Sequence, residues 1–216
     1  MELEDWGSRW RDGMIGWHQA DVSYFLAEYA QQIWGDKAPR TVYVPLCGKT
    51  LDLAFLAEHA ETVFGVEYAE QAIEEFFVER GLETTIEAGP PACYRAANYA
   101  LFAGDYYDVT TEHLGPIDAV FDRASLVAVD PETRMKYADH LRSLMATGSK
   151  MLLIAFCYDQ SEMNGPPWSV SEGEIERLYT DGFDIEHLET RDVTDDVFRN
   201  RGLSIMIESA YLLTRL

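Results

Sequence analysis

Lysine is scarce in this chain: only four of its 17 basic residues are lysines, against 38 acids, and the net charge is −21. A surface of that sign repels phosphate backbones and anionic lipid, so nucleic acid and membranes are poor partners. The excess acid reads as colloidal solubility, with life at high salt as the alternative account. Cysteine is nearly absent too. Cys47, Cys93 and Cys157 are odd in number and lack C-x-x-C spacing, which argues against a disulfide framework and a thiolate zinc site. His18, His59, His113, His140 and His187 show no mutual metal-ligand spacing, so no metal is expected. No apolar run reaches the ~18 residues of a membrane span. The N-terminus, Met1-Glu-Leu-Glu-Asp5, is acidic where a secretory leader is basic. The expectation is a cytoplasmic protein of one domain over residues 1–216, long enough for a sizeable core.

Glycine is sparse where a nucleotide site would use it most. Val42-Tyr-Val44 is a buried-strand run, stopped by Pro45, which cannot donate into a ladder. Cys47-Gly48-Lys49 turns the chain, and Leu51, Ala54, Phe55 and Leu56 follow at helical spacing behind Thr50, a candidate N-cap. A second strand over 62–66 ends in an acid, Glu67, about 20 residues past Gly48, the separation at which such an acid reaches ribose hydroxyls. Strand, Gly turn, helix, strand and carboxylate make the first half of a nucleotide-binding α/β unit. One glycine falls short of the G-x-G-x-x-G that cradles a pyrophosphate, which favours an adenosine compound over NAD. Gly48-Lys49-Thr50 imitates the end of a P-loop, but Tyr43 stands where that motif needs glycine. An ordinary βαβ turn with a solvated Glu67 accounts for the same residues.

The rest of the chain alternates around this unit. Trp6 and Trp10 share one side of a first short helix, and Asp21 is read as the cap of a helix running to Trp34. The tryptophans suit core packing or a lid over a ligand. An amphipathic helix follows Glu67 and closes at Gly81. Residues 83–98 read as an irregular insertion with room for a short hairpin. A third strand over 99–103 ends at Asp105-Tyr-Tyr107, and an acid with aromatics at a strand's carboxyl end suits an adenine site or a solvated turn. The fourth strand, 117–121, carries Asp122 and Arg123 at its tip, beside the switch point expected between first and fourth strands. Asp122 there pairs with Arg123 or caps the next turn. A helix over 132–146, broken at Gly148, leads to a strand over 150–156. The stiff loop that follows, with Gly165-Pro-Pro167, holds Trp168 in place. A helix over 171–180 and strands over 183–190 and 207–214, with a charged loop at 191–202, complete the chain.

Trp6-Gly-Ser-Arg-Trp10, Gly16-Trp-His-Gln19, Pro45-Leu-Cys-Gly-Lys49, Gly65-Val-Glu67, Asp122-Arg-Ala-Ser-Leu126 and Gly165-Pro-Pro167 occur in one order. Together they resemble the thiopurine S-methyltransferase family, from about Trp6 to the closing Tyr211-Leu-Leu-Thr214. The resemblance implies a Rossmann-like α/β methyltransferase fold: a mostly parallel seven-stranded sheet, helices on both faces and an N-terminal helical cover over residues 1–35. It implies S-adenosylmethionine as cofactor and transfer of its methyl group to a small aromatic or heterocyclic thiol, with selenium or tellurium species as further acceptors. On the cofactor side it points to Trp10 with Trp6 beside it, Leu46 through its backbone, Glu67, Arg123, and adenine near Asp105 and Tyr106. Trp17 and Trp168 fall to the acceptor side, and His18, between Trp17 and Gln19, is the one histidine connected with it. Trp17 stands where the family usually has phenylalanine, which bears on the size of the acceptor site.

No pair of residues reads as base and nucleophile, and Cys47 among apolar neighbours reads as a small inert hydrophobe. The catalytic expectation is therefore positioning alone, in a monomer. Halide and thiocyanate methyltransferases of the same superfamily and a silent S-adenosylmethionine-binding module are the alternatives. The missing second and third glycines disfavour a NAD-linked oxidoreductase.

Overall fold

The computed structural model describes residues 3–34 and 39–216. The chain divides into two compact units, residues 1–121 and 122–216.

The first unit opens with α1 (Leu3–Arg11), which buries Gly7 and Trp10, and α2 (Tyr24–Trp34), which buries Phe25, Leu26, Ala30 and Ile33. Asp21 does not cap α2. It is exposed, and the amide of Ser23 donates instead to the buried carboxylate of Asp52 at 2.7 Å. β1 (Thr41–Val44) and β2 (Thr62–Glu67) are parallel neighbours joined through α3 (Asp52–Ala57). Leu51, not Thr50, holds the N-cap position of α3, although the Thr50 hydroxyl still accepts from the Asp52 amide at 3.3 Å. α4 (Glu70–Glu79) packs Ala72, Ile73, Phe76 and Phe77 into the core. It ends in a Schellman turn: Gly81 takes φ 64°, and the amides of Gly81 and Leu82 donate to the Val78 and Phe77 carbonyls.

The insertion after α4 is an ordered hairpin. β3 (Thr85–Glu87) pairs antiparallel with β4 (Ala92–Ala96), and β4 pairs antiparallel with β5 (Tyr99–Ala103), which lies parallel to β2. A 3₁₀ turn (Tyr106–Asp108) and α5 (Thr111–Leu114) lead to β6 (Ile117–Arg123). β6 returns to pair parallel with β1, on the side away from β2, so the order is β3-β4-β5-β2-β1-β6. The switch point lies between β1 and β6, where the first and fourth predicted strands were expected to meet.

In the second unit α6 (Arg134–Leu144) runs directly into β7 (Met145–Cys157), so the strand begins at Met145 rather than Lys150 and Gly148 lies within it. α7 (Glu172–Tyr179) is capped by the Ser171 hydroxyl. β8 (Phe183–Asp192), α8 (Asp196–Asn200) and β9 (Ile207–Arg215) follow, with β9 antiparallel to both β7 and β8. α8 occupies the stretch read as a charged loop, and Asp195 caps it. Arg134, fully buried, donates to the carbonyls of Val129 and Ser169 and pairs with Glu174 at 2.7 Å.

Among the described residues the sheet therefore has nine strands and is mixed, where seven mostly parallel strands were expected. The additional pair is the β3–β4 hairpin. β3 is exposed along its whole length, so it carries no apolar alternation that a sequence pattern could register.

One glycine in β2 is fixed by close packing. A Cβ at Gly65 would lie 2.8 Å from Cys47 Sγ and 2.9 Å from Leu101 Cδ2. Gly65→Ala is therefore expected to cost about 1–3 kcal/mol through overpacking. Urea unfolding checks this: the midpoint should fall with the slope unchanged.

Candidate active site

Past β1 the backbone bends sharply. Leu46 takes φ 44°, a left-handed conformation that costs a residue with a Cβ about 1–2 kcal/mol. Gly48 takes φ 50° without that cost. Three hydrogen bonds hold the turn in place. The Cys47 amide donates to the Val66 carbonyl at 2.9 Å, and the Gly48 amide donates to Glu67 Oε2 at 3.0 Å. Glu67 Oε1 accepts the Ala69 amide at 2.8 Å, just ahead of α4. One buried carboxylate thus ties the first turn to the start of α4. Burial raises its pKa above the usual carboxylate range, and the Ala69, Gly48 and Tyr68 amides oppose that rise.

Lys49 points along α4. Its Nζ donates to Glu75 at 2.8 Å and to Glu79 at 2.6 Å. Burial would lower its pKa, but the hydrogen bonds it donates to these two acids, and their charge, raise it. The lysine is a strut between the turn and the helix, which agrees with rejecting a P-loop. Cys47 is buried, and burial followed by the charge of Glu67 pushes its thiol well up, as suits an inert hydrophobe.

Trp10 lies on this turn: a Cβ at Gly48 would come 3.1 Å from Trp10 Cζ2. Trp10 also packs with Ala69 and Ala72, with Ile15 and Trp17 against the same cluster. Trp17 meets Trp6 edge-on at 5.2 Å and Trp10 at 6.0 Å. Trp6, Trp10 and Trp17 therefore form one aromatic group, although two were assigned to the cofactor and one to the acceptor. The His18 amide donates to the Ile15 carbonyl at 2.8 Å. Hydrogen bonds from Lys49 and Gln71 lower the Glu75 carboxyl, and the charge of His18 adds to that effect.

At the end of β5 the Gly104 amide donates to the Glu67 carbonyl at 3.0 Å, which brings Asp105 and Tyr106 to the same edge as Glu67. Asp105 caps the 3₁₀ turn by accepting the Tyr107 amide at 3.0 Å. The Tyr106 ring is 3% exposed and packs edge-on to Tyr107, so it is a core ring.

Arg123 and Trp168 belong to the second unit. Arg123 sits between Asp122 and Ala124, which takes φ 63°. Asp122 caps the turn: Oδ1 accepts the Leu126 amide at 3.2 Å and Oδ2 accepts the Tyr137 hydroxyl at 2.7 Å. The Trp168 amide donates to Val127 at 2.7 Å, and its ring covers Gly165, where a Cβ would lie 2.3 Å away. The loop is closed from within, by Tyr158 donating to Pro167 and Ser169 donating to Tyr158. That accounts for a fixed Trp168 without a helix or strand to carry it.

Several residues of this framework escaped the sequence reading: Asp52, the Glu75 and Glu79 partners of Lys49, Arg134 and Tyr137. Asp52 left one faint signal, an acid between Leu51 and Leu53 in an apolar window. Arg134 left none, since its partner Glu174 lies 40 residues away.

The family model described as thiopurine S-methyltransferase matches residues 1–216. This chain belongs to that family. A thiopurine S-methyltransferase of Nitrosospira multiformis is 42% identical over 217 residues, covering 99% of this chain and 98% of that protein. One of Pseudomonas aeruginosa is 39% identical over 218 residues, covering 100% of each. The solved structure of Burkholderia thailandensis 1,6-didemethyltoxoflavin-N1-methyltransferase, with 1,6-didemethyltoxoflavin and S-adenosylhomocysteine bound, superposes with a TM-score of 0.66. The two are 15% identical over 99% of this chain and 87% of that one, a likeness that shows the methyltransferase fold.

The enzyme is an S-adenosylmethionine-dependent S-methyltransferase of this thiopurine family. The chemistry at the end of β2 fits an adenosine ligand. The Glu67 carboxylate has about four lone-pair sites, more than its backbone amides fill, which leaves acceptor capacity of the kind a ribose diol needs.

The buried Asp122 makes stability depend on pH. Burial raises its pKa from 3.8 to about 6, against the hydrogen bonds from Tyr137, Leu126 and Ser125. A carboxyl whose folded pKa is raised stabilises the fold fully below its unfolded value and loses that contribution as pH rises through the folded value. The stability of the natural protein minus that of Asp122→Asn should therefore fall between about pH 4 and pH 6 and level above. Urea unfolding at a series of pH values gives the curve.

Proposed function

We propose that this methyltransferase acts on a thiolate, or its selenium or tellurium analogue, carried on a flat ring or as a small anion, by direct in-line displacement. The observation that carries this reading is Trp10 packed over the turn that Glu67 holds, with Trp17 edge-on against both Trp10 and Trp6. When bound, S-adenosylmethionine supplies a methyl group already activated on a sulfonium. Glu67 accepts hydrogen bonds from the ribose hydroxyls, the Leu46 backbone lines the first turn, and adenine lies near Asp105 and Tyr106, whose ring stays in the core. Trp10, with Trp6 beside it, covers the cofactor. Arg123 offers a guanidinium fork to its carboxylate.

Trp17 and Trp168 hold the acceptor by stacking and sulfur–ring contact, with His18 beside them in a hydrogen-bonding role. Cys47, kept protonated by burial, takes no covalent part. Alignment of the two reactants supplies ~7–11 kcal/mol of the barrier, so no acid–base residue is required. The reading takes the whole chain as one methyltransferase domain with residues 1–35 as its cover. It places the enzyme in the cytoplasm as a monomer that serves small molecules. Among the described residues no helix is long and apolar enough to cross a membrane.

The direct experiment is a screen of thiol, selenium and tellurium acceptors with labelled S-adenosylmethionine, reading methylated product by mass. Glu67→Ala should weaken S-adenosylhomocysteine binding by about 1–3 kcal/mol, as hydrogen bonds to a charged acceptor are lost. Calorimetry that showed NAD binding and no S-adenosylhomocysteine binding would end the cofactor assignment.

The acceptor must bring its own anion if the protein provides no base. Across substituted thiophenols, rates should follow the thiolate fraction at low pH and flatten above each thiol's pKa. Equal rates on phenols or amines, or a requirement for added Mg²⁺, would contradict this chemistry.

A further inference from the structure

β6 ends on Asp122-Arg123, and the chain then turns through Ala124 in the left-handed region at φ 63°. A non-glycine residue holds that conformation only where its surroundings fix it. Here the fixing group is a carboxylate. Asp122 has no exposed surface, and it spans the turn by accepting the Leu126 amide at 3.2 Å. Its other oxygen accepts the Tyr137 hydroxyl at 2.7 Å, which anchors the turn to α6.

Ser125, also fully buried, donates to the Arg123 carbonyl at 3.4 Å, and its own carbonyl accepts the Ala128 amide at 2.9 Å. Tyr179 of α7, with its buried hydroxyl, faces the same carboxylate. Arg123 is thus held from its backbone outward, between a buried acid and a residue in a strained conformation.

A plain turn does not need this. Asn or Ser would accept the Leu126 amide equally well, without the cost of taking a charge out of water. Two bonds of the carboxylate fix the chain that follows Arg123: one ties the far end of the turn and the other the neighbouring helix, with Ser125 donating to the same group.

We propose that Asp122 is a positioning residue for Arg123, its bridge from Leu126 to Tyr137 fixing the turn that presents the guanidinium to the cofactor. The inference rests on the reading that Arg123 contacts the cofactor. It extends the working site to Asp122 and, through it, to Tyr137.

A double-mutant cycle in the full chain tests it, reading the affinity for S-adenosylhomocysteine and the KM of each substrate. Arg123→Ala should raise the cofactor's KM and leave the acceptor's KM near its natural value. If only the acceptor's KM moves, the assignment of Arg123 fails, and the inference fails with it. If that assignment holds, Asp122→Asn should weaken S-adenosylhomocysteine binding about tenfold in the natural background and by less than about twofold beside Arg123→Ala. Its kcat at saturating cofactor should stay near the natural value.

Equal losses in both backgrounds would make Asp122 a purely structural acid and overturn the proposal, whatever Arg123 does. Tyr137→Phe keeps the carboxylate and removes one donor, so it runs in the same cycle should Asp122→Asn fail to fold. Its loss, about threefold, should likewise vanish beside Arg123→Ala, and a loss that persists there would overturn the proposal.

Discussion

The Glu67 carboxylate takes one amide from the turn after β1 and one from the start of α4, and the geometry of the first unit's working edge follows from that bridge. Burial works against it, for a carboxylate taken out of water loses hydration that no apolar neighbour replaces. Hydrogen bonds to a charged acceptor return about 1.5–3 kcal/mol each, and here they come from amides that no helix or strand partner claims. The balance still leaves the carboxyl above its ordinary range. Leu46 adds a second local cost in its left-handed backbone. Unfavourable local choices of this kind, gathered on one turn, are typical of a site kept for its chemistry rather than for stability.

Around that bridge, what the sequence revealed depended on how far apart the interacting residues lie. Buried parallel strands read as apolar runs, and β1, β2, β5 and β6 were visible for that reason, with the glycine turn and Glu67 between them. Glu67 needed only a spacing rule. Features that depend on remote partners left little trace. The start of α2 is set by Asp52, 29 residues from Ser23. Lys49 meets Glu75 across 26 residues, and its basic head therefore looked like a failed phosphate motif instead of a strut. β3 and α8 are short and bury no residue, and neither carries a periodic apolar face. The motif order pointed to the family, but not to what holds each of these residues in place.

Placement also separates roles that a motif joins. Trp10 and Trp17 were assigned to different ligands, yet they share one edge-on contact and pack against the same alanines of α4's first turns. The Trp17 ring therefore rests on the ring that covers the turn after β1. Any change in the volume of Trp17 presses on Trp10, because closely packed aromatic rings transmit strain instead of absorbing it. The indole at position 17 thus bears, through Trp10, on the turn after β1.

The scarcity of lysine has a counterpart inside the molecule. Three acids are buried among the described residues, Asp52, Glu67 and Asp122, against one buried base, Arg134. Each of the three accepts a backbone amide: Ser23 for Asp52, Gly48 and Ala69 for Glu67, Leu126 for Asp122. Peptide N–H groups at turns carry partial positive charge and are fixed in direction, unlike a flexible lysine head. They orient a carboxylate without neutralising it. An acid held in this way keeps spare lone pairs for a neighbouring hydroxyl, as Asp122 does for Tyr137, which a lysine partner would occupy. Glu67 and Asp122 both stand at strand ends, where free amides collect as the chain turns. The acidic composition is thus more than a surface property, for at these strand ends it supplies the groups that fix the turns.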